Sequence, residues 1–149
     1  SIFRLLLGYC LSHLEDGPPT YKTEVGLQPV NVDIFVGNKS STAVCDTFWL
    51  PDFRLLDRRD IVPWIEHLPN LFTALKSQRL FPARAYICTN TCFTADAIEL
   101  LEAASKEFDI VWLDQIAILA MLTEINKELH DVVTRTLLKI KPAKFEDNF

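Results

Sequence analysis

Between Ala83 and Asp114 the chain passes from strand to helix to strand chemistry, and that stretch narrows the choice of fold more than any other. Ala83-Arg-Ala-Tyr-Ile-Cys88 reads as a short strand and Thr89 to Phe93 as a loop. Thr94 caps a helix from Ala95 to about Lys106, and Asp109-Ile-Val-Trp-Leu113 is a second strand. Asp114 then caps another helix. A strand, a helix of about twelve residues and a strand form a right-handed crossover between parallel strands. The fold class is therefore α/β, with helices covering the sheet.

Upstream the pattern is different. Val30-Asn-Val-Asp-Ile-Phe-Val36 is β-branched and aromatic, Gly37-Asn-Lys-Ser-Ser41 is turn chemistry, and Thr42-Ala-Val-Cys-Asp-Thr-Phe-Trp49 is a second strand-like run. This predicts an antiparallel hairpin, so the sheet is mixed. Tyr21 to Val25 reads as a short strand before it, ending at Gly26. Two carboxylates, Asp33 and Asp46, interrupt the apolar strands. An unpaired charge there costs several kcal/mol, on the order of a buried polar group left unsatisfied, so they belong to a sheet edge or to a site.

Helices complete the layers. Apolar residues at 2, 3, 6, 7, 10, 11 and 14 make a helical stripe, stopped by Glu15-Asp-Gly-Pro-Pro-Thr20. Asp57 or Asp60 caps a helix over Ile61 to Gln78, whose Pro69 bends it or divides it in two. The last helix is expected from Gln115 to about Leu138. At about 24 residues it would be about 36 Å long, more than a domain this small is wide. Its apolar stripe would then overhang and seek a second copy or another subunit, which divides the chain into a domain over residues 1–120 and a helical extension and tail over 121–149.

The chain has 149 residues, 49% of them hydrophobic, with mean hydropathy +0.13. That suits one compact domain and argues against disorder. No apolar run reaches the about 18 residues of a membrane span, and Arg4 interrupts the only leader-like stretch. A net charge of −5 gives no overall pull toward nucleic acid. DNA contact would need local patches, of which Arg54, Arg58 and Arg59, then Lys76, Arg79 and Arg84, are the candidates. Cys10, Cys45, Cys88 and Cys92 lack paired zinc spacing and are expected as core thiols in a reducing cytoplasm. His13, His67 and His130 fall on three separate predicted helices, which argues against a shared metal. No glycine-rich phosphate loop is present.

The order of these elements, with Val32-Asp33-Ile34 on the first hairpin strand, Phe93-Thr94-Ala95-Asp96-Ala97 at a helix start and Ile110-Val-Trp-Leu-Asp114 at a strand end, resembles the restriction-endonuclease-like superfamily. The nearest branches are the Mrr-like and archaeal Holliday-junction-resolvase-like ones, over roughly residues 1–120. The resemblance implies an acid on the first hairpin strand and an acid-x-Lys on the next, together holding Mg²⁺. Hard cations want carboxylate oxygen, and a lysine beside the attacking water helps deprotonate it. Asp33 matches the first acid. The acid-x-Lys slot falls on Val44-Cys45-Asp46, which has neither the acid nor the lysine in place. A working site would need Asp33 and Asp46 as metal ligands, Glu24 as a third, and Lys39 or Lys22 as the cation.

Three functions follow as expectations. The first is a nuclease-like domain with a degenerate motif, acting by binding nucleic acid or a protein and needing no cofactor. The second is an active Mg²⁺-dependent DNA endonuclease using Asp33, Asp46 and Lys39. The third is a structural or regulatory interaction module without nucleic-acid contact, which the acidic pI of about 5.1 suits.

Overall fold

The computed structural model describes residues 2–27, 29–127 and 131. In chain order the elements are α1 (Ile2–Glu15), β1 (Pro19–Val25), β2 (Val30–Gly37), β3 (Thr42–Phe48), α2 (Arg58–Ser77), β4 (Ala83–Thr89), α3 (Ala95–Ala104), β5 (Ile110–Leu113) and α4 (Gln115–Ile125). The strands form one sheet in the order β1-β2-β3-β4-β5. β1, β2 and β3 are an antiparallel meander, while β3, β4 and β5 are parallel. The fold is α/β with a mixed sheet, and the crossover expected from Ala83 to Asp114 is present.

Each face of the sheet has its own core. Val44, Ala85 and Ile87 face α2 and α3, packing on Leu68, Leu71, Leu75 and Leu101. On the other face Ala43, Cys45, Tyr86 and Cys88 pack on Leu7 and Leu11 of α1 and on Ile118 and Leu122 of α4. Leu122 is fully buried, so this core reaches past residue 120. Gly8 lets α1 approach β1: a Cβ there would lie 2.1 Å from the Tyr21 hydroxyl.

Two helices differ from the sequence expectation. α2 is one helix of 20 residues despite Pro63 and Pro69. Both prolines lie on its exposed face, and the buried stripe from Ile61 to Leu75 holds the helix together. Its start is fixed by Asp57, which accepts from the Arg59 N–H, while the Asp60 side chain accepts from the Asp57 N–H. α4 is shorter than expected. It ends at Ile125, because Asn126 is extended at φ −159°. An unbroken helix to Leu138 is therefore corrected, and the rest of the predicted extension, residues 128–130 and 132–149, lies outside the described residues.

Candidate functional site

Strand β2 changes face at Asp33. Residues 32, 34 and 36 should share a face, yet Val32 packs with Phe35 in the α2-side core while Ile34 and Val36 lie in the α1-side core. The break runs across the neighbouring strand too. Tyr21 pairs with Ile34 and Thr23 with Val32, but Lys22 and Asp33 between them are unpaired. Lys22 has φ 53°, a left-handed conformation that costs a lysine about 1 kcal/mol or more.

On the other side the β2–β3 ladder stops at Ile34 and Cys45. Asp33 fills the gap with its side chain. Its Oδ2 accepts from the Thr47 N–H at 2.8 Å and from the Thr47 hydroxyl at 3.1 Å. Its Oδ1 faces two cations, Lys22 Nζ at 3.7 Å and Arg4 Nη2 at 3.8 Å. The carboxylate thereby replaces a missing rung of the sheet and gathers positive charge from α1 and β1.

Asp46 projects from β3 on the α2 side. Its Oδ2 accepts from the Trp64 indole N–H at 2.9 Å. Burial pushes its carboxyl pKa up from the ordinary 3.8; the Trp64 hydrogen bond opposes this, nearby Asp33 adds to it, and His67 lowers it slightly. Asp33 and Asp46 share one open depression of about 530 Å³, also lined by Thr47, Phe48, Arg59, Asp60, Pro63, Trp64 and His67.

The connector before α2 places these helix residues. Asn90, fully buried after β4, accepts from the Leu50 N–H and donates to the Leu50 carbonyl, and Leu56 bridges to Phe93. Arg54 donates to Asp60 through both terminal guanidinium nitrogens, Nη1 and Nη2, at 2.9 Å, and Arg59 pairs with Asp57 at 3.1 Å. The first turns of α2 are thus held against the depression.

The structure brings Asp33 and Asp46 into one depression and sets Lys22, which does not line it, against Asp33. Lys39 is not among them: it sits exposed in the β2–β3 turn, on the order of 15–20 Å along the hairpin from Asp33. Glu24 is exposed on β1, opposite Asn31, and does not line the depression. Among the described residues no three His, Cys, Asp or Glu side chains gather closely enough to hold a metal. Trp64 and His67, one turn apart on α2, were not expected here; their i, i+3 spacing was visible, but the strand they would face was not. Of the second basic group, Arg84 is taken up by Asp109 at 3.1 Å and Glu15 at 3.9 Å. No helix among the described residues is long and apolar enough to cross a membrane.

No family model matches the sequence, and no curated protein matches it. Among solved structures the chain is similar to a repair endonuclease from Pyrococcus abyssi, with TM-score 0.48 and 16% identity over 76% of this chain and 43% of that one. It is similar also to MspJI restriction endonuclease in complex with a 27-mer oligonucleotide, with TM-score 0.49 and 9% identity over 83% and 27%. A third similarity is to AF1548, a protein of unknown function, with TM-score 0.54 and 12% identity over 91% of this chain and 79% of that one. What this chain and AF1548 share is the fold.

Proposed function

We propose that this chain is a nuclease-like domain whose reactive set is incomplete and that it acts by binding nucleic acid. The helix, antiparallel meander, helix and parallel strand follow the order that the restriction-endonuclease-like resemblance implies. The carrying observation is Phe48. Asp46 shares the depression with Asp33, so the acid-x-Lys frame moves to Asp46-Thr47-Phe48, and a phenylalanine stands where the lysine belongs.

Mg²⁺ fits these residues poorly. It demands near-octahedral oxygen ligands at close range. Asp33 Oδ2 is already engaged by Thr47, Asp46 Oδ2 by Trp64, and Glu24 stands apart. Phosphate contact is better served by the exposed Arg58 and Arg59 at the start of α2, beside the depression, than by Lys76, about 26 Å further along the helix, or Arg79, just past its end.

The test is a binding isotherm with labelled linear and branched DNA at two salt concentrations, with Mg²⁺ or with chelator. Binding should weaken with salt, be indifferent to Mg²⁺, and fall roughly tenfold in Arg58→Ala/Arg59→Ala with a shallower salt slope. No binding at low salt would leave the protein-interaction reading in its place. Cleavage in Mg²⁺ or Mn²⁺ that Asp33→Ala abolishes would establish the active-endonuclease reading instead.

A further inference from the structure

We propose that the Lys22 ammonium, brought to Asp33 by the kink in β1, is a built-in replacement for the divalent cation that Asp33, with Asp46 in the same depression, would otherwise recruit. The inference rests on the incomplete-site reading above and names one more group that sets the site against metal.

Two observations carry it independently. One is electrostatic: Asp33 and Asp46 lie in one depression, and two carboxylates at close range need protonation, a metal or side-chain cations to coexist. Lys22 and Arg4 both approach Asp33 Oδ1, the oxygen that Thr47 leaves open. A metal drawn to that oxygen of Asp33 would meet an ammonium and a guanidinium already there.

The second observation is the backbone. Lys22 is a non-glycine residue in a left-handed conformation, in the middle of an edge strand and opposite the residue it contacts. Its side chain is 65% exposed, so core packing does not impose the strain. The contact that accompanies the strain is the ammonium on Asp33. The matching face reversal in β2 leaves Asp33 oriented to receive it. Lys22 is therefore a positioning residue, setting the charge of the site.

Mn²⁺ is the probe, followed on the full chain by the loss of its free aquo signal in electron paramagnetic resonance at neutral pH. Wild type should bind Mn²⁺ no better than Asp33→Asn. Lys22→Gly, which tolerates the left-handed backbone, should gain roughly tenfold in affinity once the ammonium is gone. That gain should vanish in Lys22→Gly/Asp33→Asn and be absent from Lys22→Arg, which keeps the charge. Lys22→Met repeats the test with the side-chain length preserved, and thermal melts of each variant establish folding.

Wild-type Mn²⁺ binding that Asp33→Asn abolishes would overturn the proposal, as would folded Lys22 variants without gain. DNA binding is measured separately on the wild type. Its absence alongside the Mn²⁺ gain would remove the nucleic-acid reading and leave the role of Lys22 standing.

Discussion

Asp33 and Asp46 would stand directly opposite each other if the β2–β3 ladder continued one step beyond Ile34 and Cys45, and the ladder ends at that step. Like charges opposite one another destabilise a sheet. The strands part, Asp33 turns to cap Thr47, and Asp46 turns to Trp64. The open depression is a consequence of that separation.

The raised Asp46 pKa has a definite sign in a stability profile. The folded state keeps this proton to a higher pH than the unfolded chain, whose group titrates near 3.8. From this group, stability falls as pH rises from about 4 through the folded value. Asp46→Asn keeps an acceptor for Trp64 and removes the penalty. Urea melts from pH 3 to 7 should show the variant gaining on wild type as pH rises; a difference that does not change with pH refutes the assignment.

Asp60 has the opposite sign. Its hydrogen bonds with Arg54, and those to the Asp57 backbone, lower its pKa to about 2. The stability it contributes is present above the unfolded value of 3.8 and is lost as pH falls to about 2. Asp60→Asn should cost about 1 kcal/mol at neutral pH, after allowance for solvent screening, and close to nothing near pH 2. Chemical denaturation at the two pH values checks it.

These groups show how far the sequence was legible. The Thr94 and Asp114 caps, the crossover between β4 and β5 and the hairpin bearing Asp33 all depend on local chemistry and were readable. Placing Asp33 beside Asp46 required the register, and choosing Lys22 over Lys39 required the kink, which belongs to tertiary structure. Trp64 is a core residue, 7% exposed, whose indole N–H also serves Asp46, a pairing that only the fold creates. Pro69 misled in the other direction, since packing of the opposite face outweighed one lost hydrogen bond.

Gly8 and Tyr21 should be energetically coupled. An alanine at position 8 gains helix propensity, up to about 1 kcal/mol. Its methyl group would also displace the Tyr21 ring, at about 1–3 kcal/mol, so Gly8→Ala should be a net loss. In a Tyr21→Ala background the same change should be neutral or stabilising. A double-mutant cycle by denaturant melts decides, and additive effects rule the contact out.

The cysteines should divide by accessibility. Cys10, Cys45 and Cys88 are buried, and Cys92 is partly exposed. Burial raises the Cys10 thiol to about 12, that of Cys45 well above its ordinary value and, with Asp114, that of Cys92 as well, so exposure and not thiolate content singles out Cys92. A thiol reagent should therefore modify about one group per native chain, lost in Cys92→Ser, and about four after unfolding. Native labelling that survives Cys92→Ser would contradict the burial.

The outermost strands bear on how molecules of this kind meet one another. β1 begins at a proline and is bent midway by Lys22, and β5 is only 4 residues long. Neither offers a flat, continuous row of backbone donors and acceptors on which another polypeptide could zip. Both described edges are therefore poor templates for a further strand, and the bend that brings a charge to Asp33 also interrupts the free edge of β1.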